Sequence, residues 1–231
     1  IIAKSWSVRN TFRAFGIPIY EKEGFEADDI IGTVVKETEK ERKKNVLRVI
    51  IASGDMDTLQ LVEGKEVTVY TLKKGISDTI EYDEAAVNER YGFSPHFVAD
   101  YKGLRGDPSD NIIGVPGIGE KTATALIKEF GSIEDIYRKL EENPEAFIAR
   151  GFKERVVNLL RGNEEEALFS KTLATIRLDA PIGFKMPEKS WRDGFSPDAL
   201  KKLFSELDFR TLGARAEKLI EKTPQAQEEN N

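Results

Sequence analysis

Apolar residues near the start recur at helical spacing: Trp6, Val8, Phe12 and Phe15 lie along one face of residues 5–15, and Gly16-Ile17-Pro18 stops the run. At that spacing the face reads as core rather than as a platform for stacking bases. A short strand is expected over 17–20. A second helix opens at Phe25-Glu26-Ala27-Asp28-Asp29, with Ile30, Ile31, Val34 and Val35 as its apolar stripe, and the charged tract Glu39-Lys40-Glu41-Arg42-Lys43-Lys44 ends it as a solvated terminus. Residues 46–52 are nearly continuously apolar and β-branched, the pattern of a strand buried on both faces of a parallel sheet. They run into Ser53-Gly54-Asp55-Met56-Asp57. Residues 66–72 and 78–82 read as two strands around a turn with Lys73-Lys74-Gly75, a hairpin at a sheet edge.

From Asp83 onward the period switches to that of short helices. Ser94-Pro95 and Ser196-Pro197 each pair an N-cap with proline at the first helical position. Residues 132–178 read as successive amphipathic helices, 179–194 as an extended connector, and the polar tail from Thr223 as disordered. The class is therefore α/β at first and mostly α afterwards. His96, near a helix start, reads as a partly exposed helix residue rather than a catalytic base.

Composition narrows the picture. Hydrophobic residues make up 39% and charged residues 33%, with no long apolar run, which excludes a membrane span and a wholly disordered chain. The 231 residues suffice for one large domain, or a main domain with a helical appendage. The absence of cysteine excludes a disulfide framework and thiolate metal sites and fits a cytoplasmic location. Ile1 in place of Met, with no signal-peptide core behind it, reads as the start of a fragment of something longer. The net charge of -6 argues at first sight against a nucleic-acid partner. It stops doing so once the acids are seen to be clustered.

Glu26, Asp28 and Asp29 form the first cluster, in the opening turn of a helix, where acids are also ordinary helix-end chemistry. Asp55 and Asp57 follow a buried strand at its carboxyl end, where open α/β sheets place ligands. Asp107 and Asp110 sit in the loop Gly106-Asp107-Pro108-Ser109-Asp110-Asn111, where either also suits an Asx-turn. At an effective dielectric of about 20, two carboxylates about 4 Å apart repel by roughly 4 kcal/mol, so several in one cleft call for divalent cations. Hard oxygen donors without Cys or clustered His point to magnesium (Mg2+) or manganese.

The most specific motif follows: Gly114-Val115-Pro116-Gly117-Ile118-Gly119-Glu120-Lys121-Thr122-Ala123, then an amphipathic helix. A hairpin of this type between two helices lets glycine amides approach a backbone phosphate at a helix N-terminus, and Lys121 adds a point charge. Such a grip is independent of base sequence.

Taken in order, Gly24-Phe25-Glu26-Ala27-Asp28-Asp29, Gly54-Asp55-Met56-Asp57, Gly106-Asp107-Pro108-Ser109-Asp110-Asn111 and the GVPGIGEKTA hairpin resemble the 5'-3' exonuclease domain of bacterial DNA polymerase I, within the flap-endonuclease superfamily. The resemblance covers nearly the whole chain. It departs at Met56, where the family usually has Lys, and it places a first strand, an early Asp and a basic helical arch before Ile1. It implies a PIN-like, mainly parallel sheet core over 1–93, a helix-hairpin-helix DNA-binding region over 94–222 and a linker or tail over 223–231.

It further implies two-metal hydrolysis of DNA phosphodiesters near a 5' end. Glu26, Asp28, Asp29, Asp55, Asp57, Asp107 and Asp110 would hold the ions, with Asp55, Asp57, Asp107 and Asp110 at the chemistry. Gly114, Pro116, Gly117, Ile118, Gly119, Lys121 and Thr122 would hold the duplex, with potassium at the hairpin carbonyls. Expected partners are nicked or 5'-flap DNA and a covalently continuous polymerase, and the protein is expected to be a bacterial, nucleoid-associated monomer with no membrane partner. Two other readings stay open. One is a DNA-binding module without catalysis. The other is a haloacid-dehalogenase-type phosphatase with Asp55 as nucleophile, although that pattern calls for Gly-Thr where this chain has Thr58-Leu59.

Overall fold

The computed structural model describes residues 2–44, 47–75, 77–188, 190, 196–209, 211–212 and 215, with side chains from Val8 onward. The chain forms two compact units, the larger spanning Lys22–Pro181 and the smaller combining 1–21 with 182–231. The first helix, α1 (Ile2–Ala14), belongs to the smaller unit. The strand expected at 17–20 is absent: those residues carry no helix or strand, and Pro18 has no amide to give to a ladder.

In the larger unit α2 (Ala27–Glu37) starts at Glu26, and the Asp29 carboxylate accepts from the Glu26 amide at 3.1 Å in a capping box. Its far end corrects the expectation of a solvated terminus. Thr38 is buried and donates its hydroxyl to the Val35 carbonyl at 2.8 Å, after which one more turn follows, α3 (Glu39–Arg42). Arg42 is itself buried, its guanidinium on Glu63 and on the Val35 carbonyl, because an ion pair at the head lets the aliphatic stem pack inside.

β1 (Val49–Ala52) pairs in parallel with β2 (Val67–Lys74), which pairs antiparallel with β3 (Asp78–Tyr82), giving the order β1-β2-β3. The β2–β3 hairpin lies at the edge, as its turn residues implied. β1 is shorter than 46–52, and Val46 lies outside the described residues. It is buried on one face only: Ile51 is inside with Val67, Val69, Leu59 and Val35, whereas Ile50 is 53% exposed. A parallel strand is buried twice only where both faces are covered, and here Ile50, Tyr70 and Leu72 stay in solvent.

A 3-10 helix (Met56–Leu61) leaves β1, and Asp83 caps α4 (Glu84–Tyr91) by accepting from the Ala86 amide at 2.8 Å. A second 3-10 turn (Pro95–Phe97), with exposed His96 beside Ser94, leads into α5 (Val98–Arg105). Seven of its eight residues are buried, so α5 is the strut of the unit. Around it lie α6 (Glu120–Phe130), α7 (Ile133–Glu142), α8 (Glu145–Ala149), α9 (Glu154–Arg161) and α10 (Glu164–Ala174). Gly103 lets α10 come close, since a Cβ there would lie 2.9 Å from Lys171 Cβ and 3.0 Å from the Ala167 carbonyl. Buried Asp100 accepts from the Ile133 amide at 2.8 Å and pairs with Lys171 at 2.7 Å; Lys171 also holds Glu134. These contacts clamp α5, α7 and α10 together. Residues after α10 return to α2, where the Arg177 amide donates to Asp29 and the Ala180 amide to Thr33, both at 2.9 Å.

In the smaller unit α11 (Pro197–Glu206) is capped by Ser196 and packs Leu200 and Phe204 on Ala14 and Phe15. Val8 and Phe12 are exposed, so the expected core stripe of α1 holds at Phe15 and not at those two; the Trp6 side chain lies outside the described residues, as does the tail at 223–231. No described helix is long and apolar enough to cross a membrane.

Candidate active site

The end of β1, the following 3-10 helix, α5 and the loop after α5 enclose a cleft of about 610 Å³. Asp57, Asp107 and Asp110 meet there, with one carboxylate oxygen from each within 4.8 Å of the others. Local structure aims each of them. Asp55 N-caps the 3-10 helix by accepting from the Asp57 amide at 2.9 Å, which turns Asp57 inward. The Asp107 amide donates to the Ile112 carbonyl at 2.8 Å and the Ile112 amide back to Asp107 at 2.9 Å, closing the loop. Within it Asp107 Oδ1 accepts from the Ser109 amide at 3.0 Å and the Ser109 hydroxyl at 2.5 Å, so the Asx-turn and a place in the cluster coexist in one residue.

At the centre stands Lys102 of α5, 7% exposed, its ammonium on Asp57, on Asp107 at 2.6 Å and on Asp110 at 3.3 Å. Sequence reading missed it. Its only signal is indirect: it lies five residues before Asp107 on a helix buried all round, where a lysine needs partners.

The electrostatics follow from this crowding. Burial and the neighbouring Asp55 and Asp110 charges push the Asp57 carboxyl above its usual range, although Lys102 pulls it down. Burial pushes Asp107 the same way, but Lys102 and Ser109 outweigh it and hold Asp107 low. Burial would lower Lys102, yet the Asp107 and Asp57 carboxylates raise it well above the ordinary lysine value. Asp28 is raised by its own burial and then by Asp29 and Asp55. Three acids against one ammonium leave negative charge in the cleft, and an all-oxygen donor set suits a hard divalent cation.

The other predicted ligands do not join the group of three. Glu26 N-caps α2. Both oxygens of Asp29 accept backbone amides, those of Glu26 and Arg177, and Asp55 spends one oxygen on the Asp57 amide. Asp55 lines the cleft, and Asp28 is close enough to feel its charge.

The glycine hairpin adjoins the acid loop directly. Gly106 and Gly114 lie back to back at φ +77° and +66°, and a Cβ on either would overlap the backbone of the other strand of the loop. The Val115 amide donates to the Leu104 carbonyl at 2.9 Å, and Val115 and Ile118 anchor the turn from inside. The Ile118 amide donates to the Val115 carbonyl at 2.9 Å across Pro116-Gly117, with Gly117 at φ +93°, the geometry of a type II turn. Pro116, Gly117, Gly119 and Lys121 are therefore exposed, Thr122 is half-buried, and Gly119 starts α6 without a side-chain cap. A cation from outside the motif joins them: Arg155 of α9 has a guanidinium nitrogen 3.5 Å from where a Cβ on Gly117 would sit. Nothing in the local sequence pattern marks Arg155, which is 38 residues further along.

Two family models match consecutive stretches. Residues 2–92 match "5'-3' exonuclease, N-terminal resolvase-like domain", and residues 93–194 match "5'-3' exonuclease, C-terminal SAM fold". DNA polymerase I of Bacillus caldotenax is 41% identical over 96% of this chain and 23% of its own length; that of Bacillus subtilis is 40% identical over 97% of this chain and 24% of its own. The chain thus spans about a quarter of the curated relatives it matches. Among solved structures, T5 5'-exonuclease with bound divalent metal ions (zinc) is similar with a TM-score of 0.57 at 24% identity, covering 82% of this chain and 61% of that one. The catalytic core of Rad2 in complex with DNA substrate is similar at 0.55 and 16%, covering 95% and 69%. These likenesses show a shared fold. The haloacid-dehalogenase reading is displaced by matches that run across both halves of the chain, and the sequence belongs to the 5'-3' exonuclease family.

Proposed function

We propose that this chain is the structure-specific 5'-nuclease unit of a bacterial DNA polymerase I, hydrolysing phosphodiesters near the 5' end of branched or nicked DNA. The observation that carries the proposal is the direct seam between the Asp107–Asp110 loop and the glycine hairpin, which supports reading the hairpin as a phosphate grip beside the carboxylate cleft. Asp57, Asp107 and Asp110 would hold a divalent ion, magnesium by donor chemistry, with Asp28 and Asp55 adding negative charge at the rim. Such an ion supplies Lewis-acid polarisation of a phosphoryl oxygen and a bound water of lowered pKa. A second ion would draw on Glu26, Asp28, Asp29 or Asp55, and potassium would sit on hairpin carbonyls.

The residues of the chain do the rest. Asp107 stays ionised at neutral pH because Lys102 and Ser109 stabilise the anion. Lys102 neutralises part of the cluster and so sets how much charge an arriving cation must meet. The hairpin amides, Lys121 and Arg155 orient the duplex backbone without reading bases, and residues 94–222 are the DNA-binding part on this reading.

A second reading, duplex binding without turnover, draws support from the bonds to backbone amides made by Asp29 and Asp55. Single-turnover cleavage of a 5'-flap duplex in magnesium decides between them. The nuclease reading expects cleavage that Asp107→Asn or Asp110→Asn abolishes while binding persists. Binding with no cleavage in either magnesium or manganese would establish the second reading instead, and hydrolysis of p-nitrophenyl phosphate alone would sink both.

A further inference from the structure

The hairpin is held from behind by α10, a helix more than fifty residues away in sequence. The Gly114 amide donates to the Ser170 hydroxyl at 3.0 Å; Ser170 is fully buried and donates in turn to Glu166 Oε1 at 3.0 Å. Glu166 therefore fixes the hydroxyl hydrogen on itself and leaves the serine lone pairs for the amide. The same helix grips α5, through Ala167 and Lys171 against Gly103 and through Lys171 on Asp100. α10 thus touches both the strut that carries Lys102 and the residue at which the chain leaves the acid loop for the hairpin. Gly114 sits at φ +66°, which favours glycine, with its backbone packed against that of Gly106. The bond to Ser170 ties the hairpin's first residue to α10, beside the Val115–Leu104 bond that ties it to α5, and an amide left buried without its acceptor favours a shift toward water or another acceptor.

We propose that Ser170, oriented by Glu166, is a positioning residue that sets the register between the hairpin and the carboxylate cleft, and hence which phosphodiester lies nearest a bound ion. The inference rests on reading Asp57, Asp107 and Asp110 as an ion site and the hairpin as a phosphate grip. Successive nucleotides advance about 3.4 Å along the duplex axis, so a shift of the hairpin along the duplex carries the neighbouring phosphate toward the ion. Loss of the bond should therefore spread the position of scission, an effect that a lower fraction of folded protein does not produce.

The test avoids dependence on turnover. The chain is bound to an end-labelled 5'-flap duplex and given ferrous iron in place of magnesium with ascorbate and peroxide, so that hydroxyl radicals released at the cleft cut the DNA beside it. The unsubstituted chain should give one scission maximum. Ser170→Ala should divide it over adjacent nucleotides and raise the flanking fraction several-fold, Glu166→Ala should do so to a smaller degree, and Glu166→Gln, which keeps an acceptor, should restore the single maximum. A sharp, unmoved maximum in Ser170→Ala overturns the inference and leaves the site reading intact, even if affinity falls. Should Ser170→Ala melt below the assay temperature, Glu166→Ala decides, and an unmoved maximum there overturns the inference. No localised scission with the unsubstituted chain overturns the site reading, and this inference with it.

Discussion

Replacing Lys102 by methionine keeps most of the stem and removes the ammonium from the middle of the acid cluster. Its three carboxylate partners then face one another with oxygens within 4.8 Å, and at an effective dielectric of about 20 each pair costs roughly 3.5 kcal/mol at that distance. Asp110 is 52% exposed, so water screens its two pairs; Asp57 and Asp107, each 14% exposed, carry the penalty. The expected loss is about 3 kcal/mol, at the lower end of the roughly 3–5 kcal/mol for taking one partner from a buried ion pair. For a chain of this length that is a fall of roughly 6–12 °C in Tm. Melting is followed by circular dichroism in chelator and in magnesium at matched ionic strength. Because the variant cleft is more negative by one charge, magnesium should raise its Tm by more than it raises that of the unsubstituted chain. A fall below about 2 °C in chelator, or equal stabilisation of both proteins by magnesium, would refute the account of Lys102 as an internal counterion.

Arg155→Ala should weaken duplex binding and reduce the slope of log affinity against log salt by about 0.9, the loss of one phosphate contact; an unchanged slope would remove Arg155 from the interface. Asp29→Ala should cost about 1–2 kcal/mol in urea unfolding, since two backbone amides lose their acceptor, while leaving the magnesium effect on Tm in place. Loss of that effect would make Asp29 a ligand. Gly114→Ala, whose Cβ would overlap Gly106 at a positive φ, should cost about 3 kcal/mol, against almost nothing for Gly54→Ala, which has open space around it. Burial works against Glu134, but Lys171 holds its carboxyl below the usual range, so the stability it contributes is complete above about pH 4.3 and fades as pH falls through its lower folded value. Lys171→Met should flatten that acid limb of a denaturant-midpoint profile, and an identical limb in both proteins would count against the pair.

Local signals were legible where one segment decides the outcome. The α2 cap at Glu26, the β2–β3 hairpin and the Ser196-Pro197 start each follow from a few adjacent residues. The repulsion argument assigned seven carboxylates to one cleft; Asp57, Asp107 and Asp110 bring one oxygen each within 4.8 Å of the others, Asp28 and Asp55 feel each other's charge, and Glu26 and Asp29 form the capping box of α2. What sequence pattern hid were the residues whose role depends on distant partners. Lys102, Arg155, Ser170 and Arg42 look like ordinary helix positions until α5, α9, α10 and the Glu63 turn are brought together. The 17–20 segment failed for the opposite reason: apolar residues suggested a strand, but Pro18 supplies no amide and no neighbouring strand is described there.

The bond from the Gly114 amide to Ser170 also bears on the order in which the molecule is made. Synthesis from the N-terminus delivers Asp57, Lys102, Asp107, Asp110 and the whole glycine hairpin long before α10 exists. Until then the Gly103 groove is empty, the Asp100 carboxylate lacks Lys171, and the Gly114 amide lacks its acceptor. Closing so long a loop is slow compared with forming the local helices it joins. A nascent chain released short of about residue 170 would therefore present acids and hairpin without the bonds that α10 makes to Asp100 and Gly114 and its packing on Gly103.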